Sequence, residues 1–119
     1  MIEGLDPNVW AGLDELPAAD RIELIDLYVE SSPTLLAEMR TAMEAGNVAA
    51  FRLLVHQLKG SSASLGVHAL QHLCEGLDEQ ARAGTLTDLA AALQRIEEAH
   101  GHGLRALAAQ RASLDMQMC

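Results

Sequence analysis

The amino-acid sequence predicts an all-α protein: an antiparallel four-helix bundle with a short extra helix at its N-terminus. Three observations lead there. Of the 119 residues, Ala and Leu supply 20 each, whereas Val and Ile together supply nine and aromatic residues three. Ala and Leu favour helices, and strands draw on the β-branched and aromatic residues that are scarce here. Apolar residues also recur at helical spacing in four long segments joined by short connections, the pattern of antiparallel neighbours. The length fits one domain, 1–119, with the bundle over about 18–111. Half the residues are hydrophobic, enough for a core, and a charged fraction of 21% is ordinary for a folded chain.

Leu5-Asp6-Pro7 reads as a staple residue, an N-cap and a first-turn proline, opening a short helix to about Leu13. Pro17 starts the second helix, with Asp20 and Glu23 early, where the helix dipole favours acids. Its stripe of Ile22, Ile25, Val29, Leu36 and Met43 runs through Ser31-Ser32-Pro33. Residues 18–45 are therefore one helix kinked at Pro33 or two abutting helices, and the pattern leaves both open. Ala45-Gly46-Asn47 is a stop and a new N-cap. The third helix, about 48–64, places Phe51, Leu54, Leu58 and Leu65 on one side and is broken at Gly66. The fourth, about 67–83, buries Leu70, Leu73, Cys74, Leu77 and Ala81 and ends at Gly84. Thr87 caps the fifth, about 88–111, with Leu89, Leu93, Ile96, Leu104 and Leu107 inward and a bend expected at Gly101 and Gly103. From 112 to 119 no apolar period continues, and a frayed tail is expected.

Eight Lys and Arg against 17 Asp and Glu give a net charge of −9. That surface repels phosphate backbones and anionic bilayers, and it has no basic run, so nucleic-acid and membrane binding are not expected. No apolar run nears the roughly 20 residues of a membrane span, and the first residues lack the basic and apolar regions of a signal peptide. Two cysteines, Cys74 and Cys119, make no disulfide framework. A cytoplasmic setting fits these features.

Chemistry concentrates on the third helix. With His56 at zero on the helical wheel, Arg52 lies at about −40°, Lys59 at about −60° and Gly60 at about +40°, while Leu54, Leu58 and Leu65 lie near the opposite pole. His56 thus points to solvent with a cation on each neighbouring turn. Lys59 is the one lysine of the chain. Gly60 costs a helix interior roughly 0.5–1 kcal/mol relative to Ala, and at four residues beyond His56 it removes the side chain that would crowd the ring. A neutral imidazole is a competent nucleophile, and a phosphoryl group on it would have Lys59 and Arg52 one turn away. The plainer reading of the same wheel is a solvated histidine with chance neighbours.

Residues 55–84, from Val55-His56-Gln57-Leu58-Lys59-Gly60-Ser61-Ser62 through Gly66, Leu70, Cys74, Leu77, Arg82 and Gly84, resemble the signature of histidine-containing phosphotransfer (HPt) domains. The likeness extends over about residues 18–111. It implies a helical bundle that accepts a phosphoryl group from a receiver-domain aspartate and passes it to another receiver, without binding ATP or acting as an autokinase. Carried over by position, His56 is the phosphoacceptor, Lys59 the phosphate-side cation and Gly60 the clearance residue. Ser61 and Ser62 would face inward. Mg²⁺ would be the partner receiver's, with no cofactor of this chain's own. Partners would be the receivers of a hybrid sensor kinase and of a downstream regulator, met by a monomer through Arg52, Leu53, Gln57 and Ser64 around the histidine. Val55, Val67 and Asp78 depart from the usual Ala, Ala and Glu, and none of the three is expected to touch the phosphoacceptor. His100 stands near a position where the family often has an aromatic residue, which implies looser packing there.

Sensor-kinase dimerisation helices follow their histidine with an acid. Gln57 stands there instead, which speaks against kinase chemistry, and no Gly-rich nucleotide loop occurs. Two rival readings belong to other classes. One is a helical adaptor that binds partners without transfer chemistry. The other is a zinc protein using His68 and His72, an i,i+4 pair, although these share a solvated face with Glu75, Glu79 and Arg82. Cys74, on the apolar stripe, reads as a buried small hydrophobe, and Trp10 as the pin of the first helix.

Overall fold

The computed structural model of the chain describes residues 2–118. Five helices follow in order: α1 Pro7–Leu13, α2 Ala18–Glu44, α3 Val48–Ser64, α4 His68–Ala83 and α5 Leu89–Gln117. No strand occurs among the described residues. Helix α2 packs on α3 and α5, and α4 packs on the same two, so the four long helices close a ring around one core. Cross-links between α2 and α5 show the chain direction. Asp26 meets Arg111, Ser32 meets His100 and Arg40 meets Glu97, so rising numbers on one helix meet falling numbers on the other. The bundle is antiparallel and 49 Å long.

Caps set the helix ends. The Asp6 carboxylate accepts from the Asn8 N–H at 2.9 Å, and the Asn47 side chain accepts from the Ala50 N–H at 3.0 Å. For α5 the capping residue is Asp88, which accepts from the Ala91 N–H at 2.9 Å, and not Thr87 as the sequence suggested. The α3–α4 corner turns at Gly66, whose φ of +67° suits glycine alone. Its carbonyl accepts the Asp6 N–H at 2.8 Å, and Trp10 Nε1 donates to the Leu65 carbonyl at 2.8 Å. Helix α1 is thereby fastened over this end of the bundle.

The structure closes one open choice and changes other expectations. Helix α2 is a single helix through Pro33, one of the two readings the spacing left open, but its buried face includes Ile25, Tyr28, Ser32, Met39 and Ala42, with Val29 exposed. Proline lies on the solvent side, where its missing N–H leaves a carbonyl that water can reach. Helix α5 runs on through Gly101 and Gly103 as one helix. Gly103 is instead a point of close approach, since a Cβ there would stand 2.6 Å from Val67 Cγ1. Nor does the chain fray at 112: α5 continues to Gln117 and buries Leu114 completely, helped by Arg111 bridging Asp26 and Asp115. Cys119 lies outside the described residues. No helix among those described is long and apolar enough to cross a membrane.

Candidate functional site

Rotation of α3 decides what the site presents. Phe51, Val55, Leu58 and Ser62 are fully buried, one every three or four residues, so the opposite face of the helix must look outward. That face carries Leu53, His56, Gln57, Gly60 and Ser64, all exposed. The His56 side chain is 54% exposed. A Cβ placed on Gly60 would meet nothing within 4 Å, so the space above the helix beside the ring is open. Ser62 is buried and shares a hydrogen bond of 2.9 Å with Tyr28 of α2, whereas Ser61 is only half-buried.

The expectation that Asp78 stands clear of the phosphoacceptor is overturned. Its Oδ2 lies 3.4 Å from His56 Nδ1, because α4 packs alongside α3 and directs this side chain at the gap between them. Arg52 Nε donates to Oδ1 at 3.0 Å, Lys59 Nζ reaches Oδ2 at 3.5 Å, and Arg82 NH2 stands 3.6 Å from Oδ2. Four basic groups therefore converge on one carboxylate whose side chain is only 5% exposed. Burial pushes the Asp78 carboxyl up, but hydrogen bonds from His56, Arg52 and Lys59 and the charge of Arg82 outweigh it and hold the group below its usual 3.8. Asp78 is an anion in the folded protein.

This has a direct chemical consequence. A carboxylate can only accept, so the ring nitrogen facing it carries the proton. The lone pair of the neutral imidazole then sits on Nε2, away from Asp78. The free nitrogen of an exposed ring, fixed in tautomer from behind and set among three cations, suits attack on an anionic electrophile.

The structure thus brings His56, Lys59 and Arg52 together as predicted, with Gly60, Leu53, Gln57 and Ser64 on the same outer face. It adds Asp78 and Arg82, which the sequence reading missed as part of the site. A signal was present: Asp78 follows Cys74 and Leu77 on the apolar stripe of α4, where an acid needs a partner. Elsewhere, His72 Nδ1 lies 3.5 Å from Glu75, but no group of three or more His, Cys, Asp or Glu able to hold a metal occurs among the described residues. Burial pushes the Cys74 thiol up to about 12, so it is an inert core group. His100 is not loosely packed: it is buried, with Nε2 at 2.7 Å from Ser32 Oγ.

Comparison with known proteins gives three results. Residues 23–113 match the sequence profile of the Hpt domain. The multistep phosphorelay regulator 1 of Schizosaccharomyces pombe (strain 972 / ATCC 24843) is 33% identical over 75 residues, which is 60% of this chain and 25% of that protein. The chain thus spans a quarter of that relative's length. The crystal structure of histidine-containing phosphotransfer protein B from Pseudomonas aeruginosa PAO1 superposes with a TM-score of 0.85 at 28% identity, covering 95% of this chain and 98% of that one.

Proposed function

The chain belongs to the Hpt domain family, whose function is histidine phosphotransfer in two-component phosphorelays, and from that premise we propose that His56 is the residue on which it carries the phosphoryl group. The observation that carries this reading is an exposed His56 ring whose Nδ1 is turned toward Asp78. In the forward step Nε2 attacks the phosphorus of a receiver's aspartyl phosphate. An N–P bond forms, the P–O bond breaks, and the electron pair leaves on the aspartate. No proton has to depart, because the nucleophilic nitrogen carries none. Lys59, Arg52 and Arg82 balance the charge that arrives. Mg²⁺ belongs to the receiver in this scheme, and the chain itself binds no ATP.

The receiver docks on the outer face of α3, over Arg52, Leu53, Gln57, Gly60 and Ser64. Across the adjoining groove α2 adds Leu24 and Leu27, exposed leucines that line it with Ser31, Ser61 and Ser64. Exposed apolar side chains grouped beside a reactive centre fit a protein partner better than a solvated surface. The partners we propose are the receiver of a hybrid sensor kinase and that of a downstream regulator, served in the cytoplasm by a monomer.

Incubating the chain with a radiolabelled phosphorylated receiver tests the assignment. Native protein is expected to take label and His56→Gln to take none, and equal label on the two would sink it. Leu27→Asp is expected to slow transfer without changing the fold, and unchanged transfer would remove α2 from the docking surface.

A further inference from the structure

We propose that Asp78 keeps the proton on Nδ1 of His56 after phosphorylation as well as before it, and that this retained proton governs onward transfer. The inference rests on His56 being the phosphoacceptor. Accepting the group leaves a ring with hydrogen on Nδ1, phosphorus on Nε2 and a positive charge. Onward transfer breaks the N–P bond, returns its electron pair to Nε2, and forms a P–O bond to the next aspartate. A ring that has kept its Nδ1 proton departs as neutral imidazole. A ring that has lost it must depart as imidazolate, a far stronger base and a poor leaving group. The proton behind the ring therefore decides whether the phosphoryl group can leave.

The surroundings show what holds that proton. From α3, Arg52 and Lys59 face the site; from α4, Asp78 and Arg82 face it, with the Cys74 thiol behind; Tyr28 of α2 turns its hydroxyl to Ser62 instead. The three cations disfavour a positive ring, and the Asp78 carboxylate, itself almost fully buried, favours it from direct contact. Arg52 occupies Oδ1, and the imidazole shares Oδ2 with Lys59 at 3.5 Å and Arg82 at 3.6 Å. At 3.4 Å that contact is long for a hydrogen bond, while charge-assisted ones run at about 2.7–2.9 Å. It has room to shorten once the ring becomes cationic. A buried carboxylate behind an imidazole stabilises the imidazolium in the same way in hydrolase triads. Asp78 is thus a positioning residue for outward transfer.

The test follows phosphorylated native protein, Asp78→Asn and Asp78→Glu as each passes label to one receiver domain chosen because it takes label from the native chain. Rates are measured across pH. Asn preserves the shape but not the charge, so Asp78→Asn is expected to transfer within a few-fold of native in mild acid and to fall behind by about tenfold or more in mild alkali, the least a lost neighbouring charge gives a proton equilibrium. Asp78→Glu is expected to keep the native profile. Parallel profiles for native and Asp78→Asn overturn the inference while leaving His56 as acceptor; absence of label on native protein, or its persistence on His56→Gln, overturns the acceptor itself. Should Asp78→Asn fail to fold, nitrogen NMR of the phosphorylated native protein decides. Nδ1 protonated into mild alkali supports the inference, and Nδ1 bare at neutral pH refutes it.

Discussion

Ser32 Oγ and His100 Nε2 lie 2.7 Å apart in the core, joining α2 to α5 one residue before Pro33. Burial pulls the His100 pKa below its usual 6.5. The unfolded chain regains the ordinary value, so below about pH 6.5 it binds a proton that the folded protein refuses. Stability should therefore be flat above that range and fall as pH drops through it towards the lowered folded value. Urea midpoints measured for native protein and His100→Phe check this. The variant is expected to lose part of the slope, and identical slopes would remove His100 as its source. Asp78 acts lower: its folded value lies below 3.8, so its contribution is lost only as pH falls beneath that.

Gly60 is expected to trade stability for access. A Cβ there touches nothing within 4 Å, so Gly60→Ala is expected to stabilise the helix by about 0.5–1 kcal/mol. Gly60→Leu should fold equally well yet slow phosphoryl transfer from a receiver by about ten- to hundredfold, the cost of a crowded contact. Native transfer rates in Gly60→Leu would show that the bare backbone serves no visitor.

Leu114 anchors the last turns of α5 in the core. Leu114 is 0% exposed and Met116 is 77% exposed. Leu114→Ala is expected to cost about 2–5 kcal/mol in denaturant unfolding, and Met116→Ala almost nothing. Equal effects would mean that the end of the chain is not part of the core.

The contact between Gly103 and Val67 predicts a coupling. Gly103→Ala alone drives a methyl into Val67 Cγ1 and should destabilise, while adding Val67→Ala vacates the space. The double variant is expected to be more stable than the sum of the two single effects allows. Strict additivity would contradict the close approach.

Helical periodicity made most of this fold legible. Caps at Asp6 and Asn47 and breaks at Gly46, Gly66 and Gly84 lie where the spacing put them, and so do the buried Phe51, Leu58, Leu70, Cys74 and Leu77 of α3 and α4, whereas Leu54, Leu73 and Ala81 are only half-buried. His56, Lys59 and Gly60 were readable because they share an outer face, a property of one helix. The rest depends on contacts between helices. That Asp78 reaches His56 follows from how α4 sits against α3, and no wheel of either helix contains it. Ser32 and His100 likewise read as polar residues until packing paired them. The end of α5 was misjudged because Leu114 is a single apolar residue in a polar stretch, and its partners come from other helices.

Phosphorus is expected on Nε2 of His56. Nitrogen and phosphorus NMR of isotope-labelled protein, phosphorylated by a receiver, locates that bond directly. One phosphoryl group on Nε2 of His56, with hydrogen still on Nδ1, is the expected result; phosphorus on Nδ1, or on any other residue, would contradict it.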